Sequence, residues 1–405
     1  MNIWHFNLKR IFSLEQITLK RYAILILFLM LTQYIPIESR AGVSWLKVTM
    51  MAITPFVLVR YLKITKAFVC AFLYMSWIFL TSYVLHPWNF RASTVIYLYM
   101  YVITYVAFYN FVWVQKVFTL DYFIKLVRNL MSLLTIVLII QQVFIIIGVK
   151  YFPLINLCQI LNRGIGANSL TFEPSTFARV MGVLFYAYIQ CNEYCTGEKL
   201  TLSSIFSLEH RWVTIAFLWS MLTMGSGTAF ICLGVLSLYF MRGFQFFYAI
   251  PIFVGVYFTL DFFEVKQFNR AVSAAQAAMT GDVREVAETD GSASARIAPV
   301  LNTLNMDFSE AKSWVGEGCD SGLKYRRTNR RYMGEINDYG LVAFIIGLII
   351  VFGCAIKPLS LATIMFLFGI GGGTGNVPYA WGLLMLMTCV YYFSKTPNDR
   401  ICKKE

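Results

Sequence analysis

Apolar runs of roughly 17–25 residues recur along the chain with short polar or basic joints between them, the spacing of helices that cross a bilayer. They fall near 22–37, 44–59, 67–85, 93–114, 129–149, 175–191, 212–224, 228–241, 244–260, 339–356, 359–371 and 379–394. A transmembrane β-barrel would instead alternate apolar and polar residues over about ten positions. The pattern predicts an all-α polytopic integral membrane protein with about 12 transmembrane helices. One long polar stretch interrupts it, residues 261–338. The layout is therefore 1–260 with helices one to nine and short loops, 261–338 as a single large loop, 339–394 with helices ten to twelve, and a 395–405 tail.

Composition agrees: 58% of residues are hydrophobic and only 14% charged, against about 25% charged in soluble proteins. The net charge of +13 would suit a nucleic-acid partner, but topology accounts for it better, because basic residues collect at the cytoplasmic ends of membrane helices. With the N-terminus inside, the inner segments carry Arg60, Lys63, Lys66, Lys116, Lys125, Arg128, Lys199, Arg211, Arg242, Lys357, Lys395, Arg400, Lys403 and Lys404. The short outer loops carry Arg40, Arg91, Lys150 and Arg163. Both termini are then cytoplasmic and 261–338 lies outside. The first apolar run follows Lys9, Arg10, Lys20 and Arg21 and has no small-residue cleavage site, so it reads as a retained helix.

This sidedness depends on residues 212–241. One long span there would reverse everything downstream and put the basic tail outside. Met224-Gly225-Ser226-Gly227-Thr228 is therefore expected to separate two short helices, a break tolerated where it lines a cavity or packs inside protein. Gly369–Gly375 is expected to form a similar outer turn.

The large loop holds twelve of the 21 acidic residues yet nets only about −2. Arg270–Met279 and Ser294–Leu304 read as helices. Trp314-Val315-Gly316-Glu317-Gly318 reads as a turn able to bring backbone close to a ligand. A basic cluster follows (Lys324, Arg326, Arg327, Arg330, Arg331), with a solvated face as its plainer reading. A second outer segment contains Thr171-Phe172-Glu173-Pro174-Ser175-Thr176-Phe177-Ala178-Arg179. Pro174 suits the first turn of a helix, which puts Glu173 at its positive end. Glu173 reads equally as a simple cap or as a functional carboxylate. Arg179 reads as a snorkelling cation or, by its depth, as a functional one. The nine cysteines show no metal-ligand spacing, and no metal or cofactor is expected. Cys158 and Cys319 both fall in outer segments, so a disulfide between them stays open.

These residues bear a family resemblance. The Glu173-Pro174-Ser175 segment resembles one found in bacterial O-antigen and capsular polysaccharide repeat-unit polymerases. The Ser226-Gly227-Thr228 break is similar to the Ser-x-Thr hairpin of the wider O-antigen polymerase and ligase superfamily. Arg296 followed by Gly316-x-Gly318 resembles the pattern of its large periplasmic loop, and Asn337-Asp338-Tyr339-Gly340-Leu341 the start of its next helix. The resemblance covers about 160–350. The histidines are His5, His86 and His210, none of them in 261–338, which favours the polymerase branch over the ligase branch.

The resemblance implies metal-independent, inverting glycosyl transfer between two polyprenyl-pyrophosphate-linked oligosaccharides at the periplasmic face of the bacterial inner membrane. A partner that sets chain length is part of the same implication. Pyrophosphate departure calls for guanidinium clamps. Arg163, Arg179, Arg296, Arg326 and Arg327 suit that role, with Ser226, Thr228, Gly316 and Gly318 around the substrate. The acceptor hydroxyl calls for a base: Glu173 first, with Asp338 and Glu317 as alternatives. Rival readings are a twelve-helix transporter or lipid-linked oligosaccharide flippase, an O-antigen ligase, and a membrane acyltransferase. The halves are unlike and the apolar runs lack buried Asp or Glu, which weighs against an ion-coupled transporter.

Overall fold

The computed structural model describes residues 3–33, 45–61, 63–148, 164–240, 291–319, 321, 332–370, 375 and 377–397, with a few isolated residues between 254 and 276. Every regular element among them is helical. The helices are α1 (Ile3–Leu31), α2 (Trp45–Arg60), α3 (Lys66–Phe79), α4 (Ala92–Trp113), α5 (Leu120–Ile146), α6 (Pro174–Thr196), α7 (Leu202–Ile205), α8 (Arg211–Thr223), α9 (Gly227–Phe240), α10 (Gly291–Leu304), α11 (Ala311–Val315), α12 (Ile336–Ile350), α13 (Leu361–Ile370) and α14 (Pro378–Lys395). Wider π-helical turns, Leu80–Leu85 and Val351–Ala355, continue α3 and α12.

A helix stands on eleven of the twelve apolar stretches; the remaining one, 244–260, lies almost wholly outside the described residues. Among the described residues, four are long and apolar enough to cross a membrane by length and composition: Lys66–Leu85, Ala92–Trp113, Leu120–Ile146 and Ile336–Ala355. Length accounts for only part of the difference from twelve, because α1, α6 and α14, with 29, 23 and 18 residues, are long enough and fall outside the four on composition. α8 has 13 residues and α9 has 14, about 20 Å each at 1.5 Å per residue, against a hydrocarbon core of about 30 Å. Some boundaries also shift. α5 starts at Leu120 rather than 129, because Asp121 in its first turn pairs with Lys125 at 3.2 Å and suits the helix's positive end.

The expected break is present. α8 ends at Thr223, Gly225 takes φ +72°, and α9 begins at Gly227. Residues 211–240 are therefore two helices packed on each other.

Three helices form the centre. α4, α6 and α14 are buried over most of their length, with Tyr101, Tyr105, Phe108, Phe177 and Trp381 among the fully buried large side chains. α14 packs on α1, α4, α6 and α13; α6 packs also on α5, α8 and α9; α3 packs on α4 and α12. The outer helices turn apolar side chains away from the bundle. On α3 these are Val69, Phe72, Leu73 and Phe79, and on α5 they are Ile136, Ile139, Val143 and Ile146. Apolar faces of that extent on two of the helices suit lipid rather than water.

The α6 N-terminus defines one end of the bundle. The starts of α12 and α14 and the connection between α3 and α4 lie at the same end, joined by the contacts described below. The opposite end carries the α6 C-terminus, the start of α3 and the end of α14.

Candidate functional site

Irregular backbone enters the bundle at the α6 N-terminal end. Residues 167–171 are buried, although Asn168, Ser169 and Thr171 are polar. Asn168 and Thr171 bond to each other, Thr171 Oγ1 donating to Asn168 O (2.8 Å), and α5 satisfies Ser169. The Gln141 side chain donates to Ser169 O (3.0 Å) and accepts from Ser169 N (2.7 Å), and Ser169 Oγ donates to Leu134 O (2.6 Å). Leu134 lies about three turns, roughly 18 Å, back from the α5 C-terminus. The segment therefore descends into the bundle before α6 begins, which membrane proteins tolerate only inside protein or beside a cavity. Gln33 N fastens the end of α1 to Leu170 O (3.0 Å).

Glu173 is the N-cap residue of α6 and Pro174 its first residue, as expected. The simple capping role does not hold, because the Glu173 carboxylate makes no cap bond and accepts from the Ser175 hydroxyl instead. Arg179 lies a turn and a half further on. Its Nη1 donates to the Tyr379 hydroxyl at 2.6 Å, tying α6 to the first turn of α14. Its Nε is buried without a partner, a state that costs about 1–3 kcal/mol for an unsatisfied polar group. Ser226 and Thr228 are buried at the α8–α9 break, and Thr228 Oγ1 also lacks a partner.

The second cluster is built on the start of α12. Gly340 sits inside that helix with φ +78° and ψ 176°, so 336–339 form a turn offset from the helix proper. The Gly316–Gly318 turn docks on it backbone to backbone. Glu317 N donates to Asn337 O (2.9 Å) and Gly318 N to Asp338 O (3.0 Å). A Cβ on Gly316 would lie 2.5 Å from Asp338 O, and one on Gly340 2.0 Å from Trp314 O. The close approach that these glycines permit is to the chain itself. Asn89 Nδ2 donates to Glu317 O (2.7 Å), and a Cβ on Gly318 would strike His86 and Asn89, so the turn is also seated on the α3–α4 connection. Ser321 Oγ donates to Asp338 Oδ1 at 3.0 Å.

Glu335, just before α12, is the residue that sequence reasoning missed. It is fully buried. Oε1 accepts from Tyr74 (2.9 Å) in the middle of α3, and Oε2 has no partner in hydrogen-bond geometry. Burial pushes its carboxyl above the ordinary 4.5 and nearby Asp338 pushes the same way. The Tyr74 hydroxyl and the backbone amides of Glu335 and Gly375 oppose the rise. Tyr74 is about 16 Å below Leu85 along the helix, so this turn too descends into the bundle. Gly375 lies beside Glu335 and accepts from Trp381 Nε1 (3.1 Å), which links the second cluster to the helix that carries Tyr379.

A polar cleft of about 310 Å³ opens between α10, α11 and 332–337, lined by Asn302, Asn305, Asp307, Glu310, Glu317 and Tyr332, among others. α10 runs from Gly291 through Pro299 and includes the backbone of Arg296. Arg163, Arg326 and Arg327, together with most of Arg270–Met279 and Gly369–Gly375, lie outside the described residues. Cys319 is a free thiol donating to Ser82 Oγ at 3.2 Å, so it is not paired with Cys158. No group of acidic, His or Cys side chains with metal-binding geometry occurs among the described residues.

Compared with protein-family models, with curated proteins and with solved structures, the chain matches none.

Proposed function

We propose that the chain is a membrane glycosyltransferase that polymerises polyprenyl-pyrophosphate-linked oligosaccharide repeat units at the outer face of a bacterial inner membrane. One observation carries this reading. A guanidinium with a buried, unpartnered N–H stands a turn and a half from a helix-terminal carboxylate, beside irregular backbone sunk into an apolar bundle. An anionic, lipid-linked substrate matches that combination: its chain lies in the bilayer and its pyrophosphate reaches the guanidinium at the membrane interface.

In the proposed reaction, the acceptor sugar's hydroxyl attacks the donor's anomeric carbon from the face opposite the pyrophosphate. Glu173 takes the hydroxyl proton. The bond between that carbon and the pyrophosphate oxygen breaks, and polyprenyl pyrophosphate leaves with its charge held by Arg179 and Arg296. Configuration inverts in this single displacement. The amide- and acid-lined cleft supplies hydrogen-bonding groups for the sugar chain. Twelve spans with the polar stretch outside and both termini inside complete the reading, supported by the α8–α9 break and the charge distribution.

Glu173→Ala and Arg296→Ala are each expected to cut polymer beyond one repeat unit at least 100-fold, with normal protein levels in the membrane. Surface-polysaccharide ladders from complemented cells measure this; long polymer from both variants would refute the site. Cells lacking the protein should display single repeat units at the surface. Repeat units held on the inner face would support a flippase instead.

A further inference from the structure

At the opposite end of α6 lies a second cavity, of about 370 Å³, which the glycosyl-transfer reading does not use. Its lining is mixed, with apolar Leu361, Met387 and Val390 alongside Tyr194, Lys199 and Lys357. The acid in it, Glu193, is already committed. Its carboxylate accepts from Tyr239 (2.6 Å), Gln190 (3.1 Å) and Leu200 N (3.0 Å), holding α6, α9 and the loop after α6 together.

The lysines around it carry no acidic partner among the described residues. Lys199 and Lys357 line the cavity. Lys66 and Lys395 approach the ring of Tyr391, which lines it too, at 5.6 and 5.7 Å. None of these four makes an ion pair among the described residues, whereas Arg60 and Lys125 at the same end do. Charge at a helix end needs no cavity, and basic residues collect at cytoplasmic ends without any ligand. Two lysines from separate segments lining one half-apolar cavity, with two more beside a tyrosine of its wall and no ion pair to any of the four among the described residues, are a different arrangement. We infer that this cavity binds a phosphate group, with the lysines taking the phosphate and the apolar part of the lining suiting the first carbons of a lipid chain.

The test uses the full chain in mild detergent, with native mass spectrometry and thermal shift as readouts. Phosphatidylglycerol, phosphatidylcholine and inorganic phosphate are titrated separately. The wild type is expected to bind phosphatidylglycerol at least 10-fold more tightly than phosphatidylcholine. Lys199→Gln/Lys357→Gln should abolish that preference, and Lys125→Gln, at the same end but outside the cavity, should keep it. Saturable, lysine-dependent binding of phosphatidylglycerol assigns the phosphate to a lipid headgroup. Equal affinity for inorganic phosphate assigns it to a soluble ligand at the same lysines. Equal binding of both probes by wild type and double variant, or equal losses in the double and Lys125 variants, would overturn the inference. The Lys199→Arg/Lys357→Arg protein, which keeps the charge, should restore binding and separate a lost site from a lost fold.

Discussion

Glu335 shows how far one residue's surroundings outweigh its type. In the sequence it is one of twelve acids in a polar stretch. In the fold it is buried beside Tyr74 with one oxygen unpartnered. Because its carboxyl titrates above the ordinary 4.5, the folded protein holds this proton to higher pH than the unfolded chain. The stability that this contributes is complete below the unfolded value and is lost as pH rises through the folded one. The melting temperature in detergent should therefore fall as pH increases above about 4.5, and Glu335→Gln should flatten that slope. An unchanged slope would show that the carboxyl is not the group responsible. Gly340 makes a separate prediction. Its positive φ with extended ψ is a region essentially reserved for glycine, costing another residue about 1–3 kcal/mol, and a Cβ would stand 2.0 Å from Trp314 O. Gly340→Ala should undock the Gly316–Gly318 turn and raise the rate of limited proteolysis within 305–320 at least 10-fold, which gel-based mapping would detect.

Among the elements, most helices are legible from the sequence because apolar length and Gly or Pro punctuation are local properties. The α8–α9 break follows from Met224–Thr228, and the α6 start from Glu173-Pro174. Other features depend on contacts distant in the chain. Nothing near Ser169 announces that Gln141 will receive its backbone, or that Tyr379 will meet Arg179 from 200 residues away. The Gly316-x-Gly318 motif is visible, but its partner is not. The sequence shows that backbone comes close to something; only the fold shows that this is Asn337–Gly340. Pro299 lies inside α10 rather than ending it, although an interior proline costs about 3 kcal/mol; its neighbour Ala298 is buried.

For the whole molecule, the two ends differ in charge and in cavity chemistry. The α6 N-terminal end has the acid- and amide-lined cleft, and the other has the lysine-rich cavity. On the topology we propose, the lysine end faces the cytoplasm. Cys195, at that end of α6, is disulfide-bonded, and disulfides persist in oxidising compartments. A direct topology measurement decides between them. Single cysteines introduced at Asn305 and Lys357 should react with a membrane-impermeant maleimide from outside and only after permeabilisation, respectively. The reverse pattern would invert the molecule and move the cleft to the cytoplasm.

The central claim is that the α6 N-terminal end transfers glycosyl groups. The most direct measurement reconstitutes the full chain in nanodiscs with a synthetic polyprenyl-pyrophosphate oligosaccharide and follows product length and polyprenyl pyrophosphate release together. The wild type should yield both in equal molar amounts, and Glu173→Gln and Arg179→Ala should lower both rates at least 100-fold. Absence of both products from active-length, folded wild type, or undiminished rates in the two variants, would contradict the account.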